Sequence, residues 1–375
     1  MTTTRPPTPP RPASETPPST PGRDTFWDAV RGICILAVVW THTRVGIPYD
    51  GGPYAWNVDY WLIQRQLINF AVAVFVFLAG YFVSASKVTG RAGPWLRSRA
   101  VRLGVPFLVW SVGYTLLMAW IDGDRALGHL VRDVALGASA KHLYFIVALL
   151  QLVALTPLLL RVLETRWRWL PWAVTPAYLV VLYAQTLPDG VPPPFANTWF
   201  AAWFVFYWAG LWARRYGTPP ALGVRGAVLA TAVAVVASVV EAYVLVAAGV
   251  DVGFAAGQLT VTSTLTSLAV IALLLALHER RRSRASLAAP GNDDGDRWLG
   301  LDRLGRDSYG IFYVHLLWFV LAWQVLGLPP ADGEFAVLPV LQVGELVVAV
   351  ALSLAVIAVV RRVIGRRAAS RLLGF

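Results

Sequence analysis

Cysteine, methionine and charge are all scarce in this chain of 375 residues: one Cys, two Met, and 14% Asp, Glu, Lys and Arg together. A lone cysteine, Cys34, excludes a disulfide within one chain and leaves a Cys-based metal site without ligands, so no metal is expected. So little charge excludes an ordinary soluble domain, which carries about 25% charged residues on its watered surface. No signal peptide is expected either, because Met1–Gly22 is rich in Pro, Thr and Ser and has no apolar core. That stretch, residues 1–22, reads as a disordered cytoplasmic tail. No internal repeat is visible, and no loop is long enough for a separate sensory domain.

What the chain does have is apolar sequence in long blocks. Hydrophobic residues make up 57% and mean hydropathy is +0.58. Val101–Ala119 and Ala227–Val250 each run for about 20 residues, the length at which a helix crosses about 30 Å of hydrocarbon. The pattern predicts an all-α polytopic membrane protein with about ten transmembrane helices. They lie near Phe26–Ile47, Leu67–Ser86, Val101–Ile121, His142–Leu160, Leu170–Leu187, Trp199–Ala213, Gly226–Ala248, Leu259–Leu277, Ser308–Leu326 and Val337–Val360.

Net charge is +11, yet the basic residues sit in short clusters between apolar blocks, so no nucleic-acid partner is expected. With the N-terminus inside, 27 of the 32 Lys and Arg fall in inner segments. The other five are Arg44, Arg65, Arg125, Arg132 and Lys141. This asymmetry predicts both termini in the cytoplasm of a multi-pass plasma-membrane protein. Residues 23–365 would form the membrane domain and 366–375 a basic cytoplasmic tail. The inner loop Arg280–Trp298, with Gly291–Gly295 at its centre, reads as a linker, and Pro188–Pro194 and Pro329–Glu334 as outer turns.

Ionisable residues inside spans are the default functional candidates. The first span holds Asp28, Arg31 and His42, and Arg31 precedes His42 by eleven residues. On a helix that is about three turns plus 20°, so both project from one face, about 16 Å apart in rise. They cannot touch one reacting atom, but one elongated ligand reaches both. Position alone also accounts for Arg31 as a side chain snorkelling to the inner headgroups, and for His42 as a packed, hydrogen-bonded residue. Glu241 and Glu345 sit at a depth similar to that of His42 and are candidates to orient it. His129 and His278 receive no role.

The stretch Arg23–His42 resembles the opening of the acyltransferase-3 membrane family, in which Arg or Lys, ten residues and then His mark the first span. Four further elements follow in family order: Phe75–Phe82, Arg99-Ala-Val-Arg102 with Pro106, His142-Leu-Tyr-Phe145, and Ser308–His315. Ala79 stands where the family usually has Ser, and Tyr144 where it has Trp. The resemblance implies a ten-helix core, acyl-CoA as donor substrate with no permanently bound cofactor, and transfer to a hydroxyl. The acceptor would be a carbohydrate or a small secreted metabolite.

Chemistry fits that implication. Acyl transfer needs a base for the acceptor hydroxyl, and imidazole titrates near neutral pH, which suits His42. His142 and His315 match family positions that would orient the acceptor or stabilise the oxyanion; interhelical hydrogen bonding explains them as well. Arg31, Arg99 and Arg102 lie at the inner entrance, where forked donors suit the donor's phosphates. A donor held there could thread its arm along the first span towards His42. The competing reading is a multi-pass secondary transporter of a small polar or anionic solute, against which stands the lack of a mid-membrane carboxylate relay.

Overall fold

The computed structural model describes residues 24–43, 46–48, 55–122, 127–217, 223–287, 300–325, 335–337 and 339–375. The expected tail 1–22, the Gly291–Gly295 linker and Pro329–Glu334 lie outside the described residues.

Helices dominate, as apolar backbone demands when every N–H and C=O must be satisfied within its own segment. In chain order they are α1 (Thr25–Trp40), α2 (Ala55–Ile68), α3 (Phe70–Tyr81), α4 (Ala85–Thr89), α5 (Ala92–Asp122) and α6 (Leu127–Leu136). Next come α7 (Tyr144–Leu163), α8 (Val174–Thr186), α9 (Phe200–Tyr216), α10 (Gly223–Ala247), α11 (Val252–Ala255) and α12 (Val261–Leu287). The chain continues with α13 (Leu301–Arg306), α14 (Ser308–Val325), α15 (Pro339–Val363) and α16 (Arg366–Leu372). Two three-residue strands, β1 (Gly46–Pro48) and β2 (Phe335–Val337), pair antiparallel with Gly46 opposite Val337.

Among the described residues six segments are long and apolar enough to cross a membrane: Tyr60–Tyr81, Ala92–Ile121, Tyr144–Leu163, Gly223–Ala247, Val261–Arg284 and Pro339–Val363. The other expected spans fall on the shorter helices α1, α8, α9 and α14. Several boundaries move: the third span starts at Ala92 rather than Val101, and the eighth ends at Arg284 rather than Leu277. The second span starts at Tyr60, with a break at Asn69 between α2 and α3. The first stops at Trp40 instead of Ile47, because Thr41 and Thr43 donate their hydroxyls to the Val38 and Trp40 carbonyls, each at 2.7 Å, and satisfy the end of the helix.

The molecule is inverted in polarity relative to a soluble protein. Val228, Leu229, Val233, Val236, Val240 and Val244 on α10 are all exposed, a surface suited to lipid. Inside, Trp27, Trp203, Tyr207, Trp208 and Tyr313 are almost fully buried. Glycine sets the closest helix contacts. A side chain at Gly80 of α3 would overlap the Tyr207 carbonyl of α9, and one at Gly210 of α9 would overlap the Phe77 carbonyl of α3. Small residues on both partners let the two backbones touch, the usual route to tight packing in lipid.

Candidate active site

Site geometry begins with α1. Asp24 caps it, accepting from the Phe26 N–H at 3.1 Å, and Arg31 on its second turn pairs with Asp28 at 2.9 Å. Past Trp40 the chain turns with i→i−3 hydrogen bonds, His42 N–H to the Val39 carbonyl at 3.0 Å and Thr43 N–H to the Trp40 carbonyl at 3.2 Å. His42 is thus presented from a tight turn rather than from mid-helix.

Gln342 of α15 fixes that turn. Its amide donates to the Thr43 carbonyl at 3.2 Å, while its oxygen accepts from Tyr60 at 2.7 Å and Gln64 at 3.2 Å. Gln342, Gln64 and Thr43 are all buried, so these bonds work where water does not compete. The sequence reading missed Gln342 because it searched the spans for ionisable groups alone; an uncharged amide in an apolar run was the available signal.

Three histidines from distant parts of the chain meet here. His42 and His315 have ring centroids 5.3 Å apart, His142 and His315 5.0 Å, and His42 and His142 6.4 Å. His142 lies in the turn before α7 and is buried; His315, on α14, is fully enclosed. His315 Nδ1 is 2.9 Å from the Ile311 carbonyl, which only accepts, so the proton sits on Nδ1 and the lone pair on Nε2. Among the described residues His315 Nε2 and both ring nitrogens of His142 have no hydrogen-bond partner. Such buried polar atoms are costly in a finished core and are expected where a ligand completes them. No group of three His, Cys, Asp or Glu among the described residues is arranged to hold a metal ion.

His42 and His142 line a cavity of about 370 Å³ together with Val38, Arg65, Lys141, Tyr144 and Trp203. Loops held by side-chain amides form its far wall. Asn69 donates to the Ala256 and Gly257 carbonyls at 3.0 and 2.9 Å. Gln151 donates to the Thr198 carbonyl at 3.0 Å and accepts from the Phe200 N–H at 3.1 Å. Phe195, in the same wall, holds a left-handed φ of 60°, a strained conformation for an aromatic residue.

A second cavity, about 270 Å³, lies towards the other end of the bundle. Arg31, Arg99, Trp95, Tyr207, Ser308 and Tyr309 line it, with an apolar wall from α3 and α7. Phe145 and Phe312 belong to the walls of both cavities. Arg102 does not line this second cavity. It faces an adjoining groove with Arg97 and Arg371, so the shared helix face of Arg99 and Arg102 spreads over two recesses.

Of the remaining candidates, Glu241 and His278 fall elsewhere. Both oxygens of Glu241 accept hydrogen bonds, one from Tyr183 at 2.6 Å and the other from the Thr262 N–H at 2.8 Å and the Thr262 hydroxyl. That carboxylate ties α8, α10 and α12 together. Glu345 is a part-buried residue of α15. His278 of α12 pairs with Asp24 at 2.7 Å and stacks near Phe26 and Trp27, which makes it an anchor for the start of α1.

Comparison with known proteins adds an independent line. A family model described as an acyltransferase domain matches residues 24–362. A curated protein named "Nodulation protein NolL", from Mesorhizobium japonicum (strain LMG 29417 / CECT 9101 / MAFF 303099), is 24% identical over 169 residues. The aligned part covers 45% of this chain and 43% of that protein, so the chain spans under half the length of this relative. No solved structure matches.

Proposed function

The chain belongs to the acyltransferase family whose domain model covers residues 24–362, and from that premise we propose that it moves an acyl group, acetyl foremost, from acyl-CoA to a hydroxyl. The observation that carries this reading is the pair of cavities sharing Phe145 and Phe312, one lined by arginines and the other by histidines. The donor's phosphates bind at the Arg31 and Arg99 end, with Arg102 in the adjoining groove. Its flexible arm passes between Phe145 and Phe312, and the thioester reaches the histidine cluster. In this reading ten spans leave both termini in the cytoplasm, and the acceptor, a sugar or a secreted metabolite, enters from outside a plasma membrane.

The reaction is then an addition and an elimination. His42 takes the acceptor's proton while its oxygen attacks the thioester carbonyl and the C–O bond forms. His142, donating an N–H, stabilises the oxyanion, while the Nε2 lone pair of His315 accepts from the acceptor and orients it. Collapse breaks the C–S bond, and the CoA thiolate leaves with the proton that His42 carried. The ester remains on the acceptor, so atoms and charge balance.

The test is direct. Purified protein is incubated with radiolabelled acetyl-CoA and cell-envelope or culture extract, and both free CoA and acetylated product are followed. Release of CoA coupled to an alkali-labile labelled ester supports O-acyl transfer. Labelled product that survives alkali would point to an amide and overturn the hydroxyl acceptor.

A further inference from the structure

We infer that Gln258 reads a second hydroxyl on the acceptor, so that the cavity beside the histidines takes a polyhydroxylated ring in preference to one with a single hydroxyl. This rests on the acyltransferase reading above and adds the residue that selects the acceptor.

Gln258 lies in the bend between α11 and α12 and lines the cavity that holds His42 and His142. Buried amides at the break between α2 and α3 fix that bend. Gln66 donates to the Ala255 carbonyl at 3.3 Å, beside the bonds from Asn69 to the Ala256 and Gly257 carbonyls. The Gly257 N–H donates to the Phe254 carbonyl at 2.8 Å, and a side chain at Gly257 would overlap that carbonyl. Three consecutive carbonyls are thus held just before Gln258, and its side chain leaves from a rigid base, as a specificity contact requires.

What that base presents is an unused acceptor. Gln258 Oε1 is buried and has no hydrogen-bond partner among the described residues, a condition it shares with both ring nitrogens of His142 in the same cavity. A buried amide oxygen without a donor is costly, and a ligand that brings the donor relieves that cost. The carboxamide is uncharged and both donates and accepts, as a hydroxyl does, so the two are matched. The surrounding wall suits a ring. Tyr144 and Trp203 stack with centroids 6.1 Å apart and planes at 23°, and Phe195 and Phe254 belong to the same lining. Trp203 already donates its indole N–H to the Asn197 carbonyl at 2.7 Å, so that donor is spent within the protein. At about 370 Å³ the cavity lies near the lower end of the roughly 300–1,000 Å³ of small-ligand sites. One hydroxyl is then attacked for by His42 while another is held by Gln258.

Thermal-shift titration of the purified protein with cyclohexanol, trans-cyclohexane-1,2-diol and myo-inositol tests this, because the six-membered ring is common and only the number of hydroxyls changes. The diol or the inositol should reach half-maximal stabilisation at about five- to tenfold lower concentration than cyclohexanol, the scale of one net hydrogen bond. Gln258→Met, of similar length but without the amide, should bring that ratio close to one and leave the responses to cyclohexanol and to acetyl-CoA unchanged. Gln258→Asn should restore part of the ratio. Equal action of cyclohexanol and both polyols, no response to either polyol, or an unchanged ratio in Gln258→Met would overturn the proposal. If Gln258→Met does not fold, Gln258→Leu carries the same comparison. CoA release from acetyl-CoA in the presence of the same probes keeps the two readings apart: its absence would count against acyl transfer and leave the binding ratio standing.

Discussion

Phe145 and Phe312, which line both cavities, meet with ring centroids 5.6 Å apart and planes at 62°, an edge-to-face contact. A side chain at this point is positioned to govern what passes from the arginine end to the histidine end. Phe312 also packs against the His142 ring, with centroids 4.8 Å apart, so this contact borders the histidine cluster.

Threading of the donor past this contact predicts the effect of filling the passage. Val38 is buried on α1 and lines the histidine-side cavity below His42. Val38→Trp should abolish transfer from acetyl-CoA in purified, folded protein, while acetyl-CoA still binds at the Arg31 and Arg99 end. Parental activity in this variant would rule out the threaded route but not acyl transfer itself.

Removal of His42, the proposed base, should be severe. His42→Ala should lower turnover by roughly 10²- to 10⁴-fold, measured as CoA release, with expression and membrane insertion unchanged. Retention of more than a few percent of activity would show that the proton goes elsewhere. Alanine at Arg31, Arg99 or Arg102 should instead raise the apparent KM for acetyl-CoA first. Arg102→Ala is expected to be the mildest, since Arg102 faces the adjoining groove.

Gln342 should behave as a positioning residue. Gln342→Leu keeps the apolar volume of α15 but frees the Thr43 carbonyl beside His42. We expect kcat to fall by about tenfold, the consequence of about 1.4 kcal/mol at the transition state, with the KM for acetyl-CoA unchanged. An unchanged kcat per folded molecule would leave Gln342 a purely structural clamp.

The start of α1 should be sensitive to acid. The hydrogen bond from His278 holds the Asp24 carboxyl below the usual carboxylate range, with help from the Phe26 N–H, although burial opposes it. A carboxylate with a depressed folded pKa stabilises the fold fully above its unfolded value, about 3.9, and loses that contribution as pH falls through the folded value. Asp24→Ala should therefore cost about 1 kcal/mol near pH 7, the typical worth of an N-cap, and the gap to the parent should narrow below about pH 4. Thermal unfolding across pH 3 to 7 measures it; a constant gap would dissociate Asp24 from the acid response.

Local sequence determined a good deal here. Long apolar runs require a membrane because each peptide unit in lipid must be satisfied within its own segment, and that rule needs no partner. Helix rise sets Arg31 and His42 well apart along the first span, and the two line separate cavities, although His42 stands in the turn past Trp40 rather than on the helix. His142 and His315 entered as candidates through motif resemblance, not through any local physics. Tertiary packing decided the rest. That residues 42, 142 and 315 share one site, that Phe145 and Phe312 meet, and that Gln342 holds the turn at Thr43 are contacts between segments 100 to 300 residues apart in the chain. Helix periodicity says which face a residue occupies but not which helix that face will meet. That choice depends on packing over the whole bundle, where pairs such as Gly80 and Gly210 let particular backbones touch.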